Sequence, residues 1–360
     1  MKNKYWRFSL LLMLIISVVL VGCSQQTNEQ QSTNQALNED GSINWEKRIE
    51  ANKAVGEITY MTGYYYAASP PDIQVVLAEQ LGYFDELGLK VNILPGLDAE
   101  GMKFLAADKA HIASAGSPSI VLQAISNGAP LIGIATFGHV GTSALMVLED
   151  STINEPADLV GKSIGYHGAL PANMLAMLAN SNIDLADIKS YSVGYDLSVL
   201  INGDIDALTI YKSNEPYMME KLGHKVRIID PGQYGAETSF GVLATNQKFA
   251  ENNPQAVEDF LRAVAKAHDY AIANPEASID ILAALSDTVY DKDAELNRWK
   301  VEMDLLEEAK LEHNVVGYQT VEQWDREIKM LVEAGVIASS LDPNKTMTNI
   351  YLDAIANGKE

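Results

Sequence analysis

Two stretches about 100 residues apart carry the same succession of signals. FLAADKAHIASAGSPS (104–119) and VLINGDIDALTIYKSNEP (199–216) each run from a helix end through Asp to a short apolar strand. Each then closes in a polar loop with Pro. GEITYMTG (56–63), leading into Ile73, Val76, Leu77 and Leu81 at helical spacing, is echoed by GKSIGYHGALPANMLAML (161–178). LKVNILPGLD (89–98) is echoed by IKSYSVGYD (188–196). Three echoes in one order predict two similar lobes, each strand–helix–strand–helix–strand, the arrangement of a parallel sheet with crossover helices.

In open α/β sheets ligands sit beyond the carboxyl ends of the strands. Six loops therefore face one expected cleft: 63–71, 94–100 and 115–118 from the first lobe, with 165–171, 193–197 and 211–216 from the second. The chain is expected to cross between lobes near 138–145 and to return near 233–243, both glycine-containing segments. The remainder reads as helix, with Asn253 and Pro254 opening one and a Thr320/Gln323 capping box opening another.

The first 23 residues differ in kind. Lys2, Lys4 and Arg7 precede an apolar run of 14 residues, 8–21, of signal-peptide length rather than bilayer-span length. LVGC (20–23) resembles the bacterial lipobox, with Cys23, the chain's one cysteine, as the lipidated residue; an ordinary signal or membrane anchor is the alternative. Residues 24–44 hold almost no large apolar side chain and read as tether. The expected division is signal 1–22, lipidated Cys and disordered tether 23–53, first lobe 54–142 with 241–360, and second lobe 143–240. Removing the signal takes the net charge from −22 to about −25, which argues against nucleic acid or anionic lipid as a partner of the body.

The loops hold Tyr64, Tyr65, Tyr66, Tyr166, Tyr195 and Tyr211, together with Ser117, His167, Asn214 and Glu215. Between Arg48 and Arg227 there is no arginine, and Lys212 is the only lysine in the loops. An oxyanion pocket favours arginine, so this set points to a flat, neutral or amine-bearing ligand. Backbone donors at the helix starts near Pro71, Ser119 and Pro171 keep a small anion open. Strand alternation would give Tyr64 and Tyr66 one direction and Tyr65 the other. Glu215 could instead be a loop carboxylate at a helix start, and Tyr195 could cap its own helix.

Other candidates have plainer readings. Trp299, Trp324 and His268 lie on apolar helix stripes and are expected in the core, while His111 and His224 have no second ligand at metal spacing. GKSIG (161–165) fits G-x-S-x-G, but Ser163 lies early in a strand rather than at a nucleophile elbow. The same lysine lacks a phosphate loop, because Pro156 stands where its first glycine belongs. No cofactor, metal or catalytic residue is expected.

The stretches QVVLAEQLGYFDELGLKVNI (74–93), DLVGKSIGY (158–166) and GYDLSVLINGDIDALTIYKSNEP (194–216) resemble the solute-binding lipoproteins of bacterial ABC importers. The branch in question takes nitrate, sulfonates, taurine and the thiamine pyrimidine precursor. The resemblance implies a type II periplasmic-binding-protein-like fold with the ligand between two lobes. It also implies a monomer held by lipid on the outer face of the cell membrane, partnered by a permease and its ATPase. Asn214–Pro216 and PGQYG (231–235), with Tyr234, look most like the pyrimidine and riboflavin binders. By that resemblance Glu215 meets the polar edge of a heterocycle and aromatic side chains stack on its faces; binders of sulfonate-type anions are the alternative. Pyrimidine synthases of this fold carry a cysteine-rich motif, and this chain has no cysteine after residue 23.

Overall fold

A computed structural model describes residues 37–38, 41–313 and 315–358. The expected signal, Cys23 and most of the tether lie outside them. The tether expectation is corrected at its end. Helix α1 (Trp45–Val55) is capped by Asn44 and buries Arg48 and Asn52. Arg48 meets Asp259 at 2.7 Å and Glu258 at 2.6 Å, while Asn52 donates to Asp259 at 2.7 Å. An ion pair rather than an apolar stripe fixes this helix, which hydrophobic patterning cannot detect.

The first sheet begins with β1 (Glu57–Met61), α2 (Asp72–Gln80), α3 (Tyr83–Glu86) and β2 (Lys90–Leu94). It continues through α4 (Asp98–Ala106), β3 (Ile112–Ala115), α5 (Pro118–Ser126) and β4 (Leu131–Gly138). The second contains β5 (Ser143–Leu148), β6 (Ser163–Tyr166), α6 (Ala172–Asn180), β7 (Lys189–Ser192), α7 (Ser198–Ile201), β8 (Ala207–Tyr211), α8 (Glu215–Lys221) and β9 (Val226–Ile229). The chain then returns as β10 (Phe240–Asn246) and ends in helices α9 (Gln247–Asn252), α10 (Pro254–Ala273), α11 (Pro275–Leu285), α12 (Lys292–Glu308), α13 (Val321–Glu333), α14 (Pro343–Thr346) and α15 (Ile350–Asn357).

The strand orders are β2-β1-β3-β10-β4 and β7-β6-β8-β5-β9. In both, three parallel strands meet an antiparallel fourth, so the echoes seen in the sequence are echoes of topology. Apolar clusters cover both faces of each sheet. Trp299, Trp324 and His268 are buried, and the Thr320/Gln323 capping box is formed.

The two crossings are 139–142 and 235–239. Gly241, just beyond the second, has φ +68°, and a Cβ there would lie 2.6 Å from the Pro70 carbonyl oxygen. Only glycine satisfies both demands, and it lets the return strand pass directly beneath the tyrosine loop.

Candidate functional site

Strand β1 ends at Met61, and the loop beyond it is organised by Asp72, the first residue of α2. The buried Asp72 carboxylate accepts the Gly63 and Tyr64 backbone N–H groups at 2.9 and 3.3 Å. It also accepts the Tyr60 and Ser114 hydroxyls, both at 2.5 Å. Burial pushes its pKa up to about 6, against the pull of these four hydrogen bonds.

The alternation expected of the tyrosine triplet is not followed, because the strand has already ended. Tyr65 takes φ +48° and donates its N–H to the Gly96 carbonyl at 2.8 Å. Tyr64 and Tyr65 are each about half exposed, with their rings edge to face at 5.8 Å. Tyr66 packs on the first-lobe core, and its carbonyl accepts the Tyr290 hydroxyl at 2.8 Å. Tyr64 therefore exposes its ring, while Tyr66 packs its own on the core.

Ser117, half-buried, stands at the start of α5 in an extended conformation, with no capping bond from its side chain. Beside it, Gly116 N–H reaches Asp98 Oδ2 at 3.3 Å, and burial raises the Asp98 carboxyl. On the opposite wall Tyr166 ends β6 half-buried. His167 stacks on Tyr195, ring centroids 4.6 Å apart and planes 25° from parallel. His167 Nδ1 lies 3.4 Å from the Val193 carbonyl oxygen, and its buried Nε2 has no hydrogen-bond partner. Tyr195 is 77% exposed. It does not cap the following helix, whose N-cap is Leu197; Asp196 Oδ1 accepts Ser198 N–H at 2.9 Å.

Glu215 opens α8 and is 5% exposed. Its Oε2 accepts Tyr211 N–H at 2.8 Å and its Oε1 accepts Asn214 Nδ2 at 3.0 Å. Tyr211 ends β8 half exposed; burial, followed by the charges of Asp98 and Glu215, pushes its hydroxyl well up. Asp98 and Tyr211 come from different lobes, so the walls lie within electrostatic reach of one another. Lys212 is held by Asp230 at 2.5 Å. Tyr234 lies apart, packed on the second-lobe core.

Residues the sequence did not single out come from α12. Arg298 pairs with Glu295 at 3.0 Å, donates to Asn214 Oδ1 at 3.1 Å and lies 6.0 Å from the Tyr64 ring centroid. Glu302 accepts Ser69 Oγ at 2.5 Å and Ser213 Oγ at 2.7 Å, joining a loop of each lobe through one buried carboxylate whose pKa burial raises. The available signal was charge at helical spacing (295, 298, 302) on the stripe that also carries the buried Trp299 and Leu306. Among the described residues no cluster of three or more His, Cys, Asp or Glu could hold a metal. A cavity of about 520 Å³ lies at the crossings, lined by His139, Asn173, Gln323 and Arg326 among others.

Two walls thus face each other, with tyrosines at their edges and the Arg298 guanidinium paired between them. The model of the family described as NMT1/THI5 like matches residues 70–278, more than half of the chain. The chain belongs to the NMT1/THI5-like family.

Relatives within reach of this NMT1/THI5-like chain include both binders and enzymes. The formylaminopyrimidine-binding protein of Halalkalibacterium halodurans is 25% identical over 78% of this chain and 86% of its own. The 4-amino-5-hydroxymethyl-2-methylpyrimidine phosphate synthase of Aspergillus parasiticus is 27% identical over 62% of this chain and 69% of its own. The solved aliphatic sulphonate binding protein of Escherichia coli superposes with a TM-score of 0.63 at 17% identity, covering 81% of this chain and 92% of that one. That likeness establishes the two-lobed periplasmic-binding-protein fold. Among the described residues no helix is long and apolar enough to cross a membrane.

Proposed function

We propose that this chain is the solute-binding component of an ABC importer, and that it captures a small aromatic heterocycle of the pyrimidine or riboflavin type. The observation that carries this reading is the charge balance of the cleft. Arg298 is paired with Glu295, Glu215 and Asp98 add further negative charge, and Tyr64, Tyr195 and Tyr211 expose their rings from both walls. Such a site suits a flat ligand that stacks and donates hydrogen bonds, and repels a free anion. Tyr64, Tyr195 and Glu215 are the proposed principal contacts, with Ser117, Tyr166, His167 and Asn214 around them.

Ligand bridging the walls favours the closed form by its differential affinity, and the closed form delivers it to the permease. Lipid on Cys23 anchors the protein outside the cell; a Cys23→Ser chain that still incorporates labelled palmitate would remove that anchor. Expected of the purified chain is saturable calorimetric binding of a hydroxymethyl- or formylaminopyrimidine, or of riboflavin, without product. Response to taurine or ethanesulfonate alone would overturn the heterocycle reading. Turnover would favour the synthase reading, against which the lack of any cysteine after residue 23 already argues.

A further inference from the structure

The six loops carry no arginine, yet one enters the cleft from α12. Arg298 is largely buried, with its Nε on Glu295 Oε2 and its Nη2 on Asn214 Oδ1. Glu295 Oε2 also accepts Ala68 N–H, in the tyrosine loop, at 2.7 Å. Asn214 Nδ2 in turn reaches Glu215 Oε1, and Glu215 Oε2 holds Tyr211 N–H. A continuous line of hydrogen bonds thus runs from Ala68 on one wall through Glu295, Arg298, Asn214 and Glu215 to Tyr211 on the other.

An arginine facing a ligand cleft is ordinarily an oxyanion site, because its planar fork matches carboxylate, phosphate or sulfonate. Here Nε and Nη2 each already donate to a protein oxygen, and the carboxylates of Glu302 and Glu215 also act on the guanidinium. We propose that Glu295 sets the ligand class: it withdraws the cleft arginine from oxyanions and converts it into a positioning residue for Glu215. Removing that one charge opens the cleft to small sulfonates. The proposal rests on the reading of this cleft as the ligand site, and it is independent of which heterocycle fills it.

The test titrates ethanesulfonate, by calorimetry, into the wild-type chain, Glu295→Gln and the double variant Glu295→Gln/Arg298→Gln. Gln retains an oxygen for Ala68 N–H and Arg298 Nε, and melting temperature with circular dichroism reports that the fold is kept. Expected is a gain of about tenfold or more in ethanesulfonate affinity for Glu295→Gln, weakening with added salt and absent in the double variant. A folded Glu295→Gln chain with no gain, or a gain that survives in the double variant, overturns the proposal. If Glu295→Gln does not fold, Glu302→Gln removes another carboxylate acting on the same guanidinium and carries the same expectation. A wild type blind to hydroxymethylpyrimidine, formylaminopyrimidine and riboflavin alike, beside an anion-binding Glu295→Gln, would sink the heterocycle reading and leave this one standing.

Discussion

The Asp72 carboxylate holds the Gly63 backbone N–H at 2.9 Å, so the first residue of a helix fixes the first residue of the tyrosine loop. The same carboxylate serves Tyr64 N–H and two buried hydroxyls. Asp72→Ala leaves four donors without their acceptor, and we expect a loss of about 3–5 kcal/mol in urea unfolding. Asp72→Asn, which keeps one acceptor oxygen, should lose less. Equal losses would mean that the cavity, not the acceptor, matters.

Stability should fall as pH rises from 5 to 8. Burial raises Asp72 to about 6 and Glu327 to about 7, from 3.8 and 4.5, so across this window the folded chain holds protons that the unfolded chain has released. The destabilisation is absent below the unfolded values and complete above the folded ones. It amounts to about 3 kcal/mol per group. Glu327 bridges Ser119 Oγ and Ser239 N–H, 2.7 and 2.8 Å away. Glu327→Gln should flatten the upper part of the profile; an unchanged slope between pH 6 and 8 would assign it elsewhere.

Glu215 has a structural duty as well as a proposed ligand contact, and two substitutions separate them. Glu215→Ala removes the acceptor of Tyr211 N–H and should cost about 1–2 kcal/mol of stability. Glu215→Gln keeps an oxygen for Tyr211 N–H but turns its amide nitrogen toward Asn214 Nδ2, so it should lose less stability than Glu215→Ala without matching the wild type. Both should weaken binding of a pyrimidine about a hundredfold in calorimetry, because each deletes a charged acceptor. Full affinity in Glu215→Gln would remove the carboxylate from the site.

Tyr195 makes the opposite case. With 77% of its surface exposed it supports little of the fold, so Tyr195→Ala should shift stability by no more than about 0.5 kcal/mol. Loss of the ring stacked on His167 should nevertheless weaken an aromatic ligand roughly tenfold, read by the same titration. Tyr66→Phe, with the ring packed on the core, should leave affinity unchanged.

Helix α1 is expected to be part of the stable body. Arg48→Ala takes one cation from the fully buried Asp259, which keeps Asn52 and Arg262 as partners, and should cost about 2–3 kcal/mol in chemical unfolding. A change below about 1 kcal/mol would return residues 45–55 to the tether.

Much of the architecture was legible because apolar strands, Asp and Pro stops recur in fixed order, and local signals of that kind survive in one dimension. Tyr211 and Glu215 could be placed from sequence because one ends a strand and the other opens a helix, and Tyr195 because it falls in the loop between a strand and a helix. Tyr66 was misread because alternation has no force after Met61, where the backbone leaves the pleat. Arg298 was missed for a different reason: it lies more than 80 residues beyond the last cleft loop, and only packing of α12 against β4 and α8 brings it back. Arg48 was missed because a helix held by ion pairs has no periodic apolar face to display.

The position of β10 between β3 and β4 bears on how the chain is made. The second sheet is encoded without interruption from Ser143 to Ile229, whereas the first lacks an inner strand until Asn246 has been synthesised. As the chain emerges from its amino-terminal end the downstream lobe can finish first, while the upstream sheet waits in two pieces. A chain arrested before Phe240 would present the unpaired edges of β3 and β4, a ready template for association with other chains. The order of genetic encoding thus makes the lobe nearest the amino terminus the last to mature.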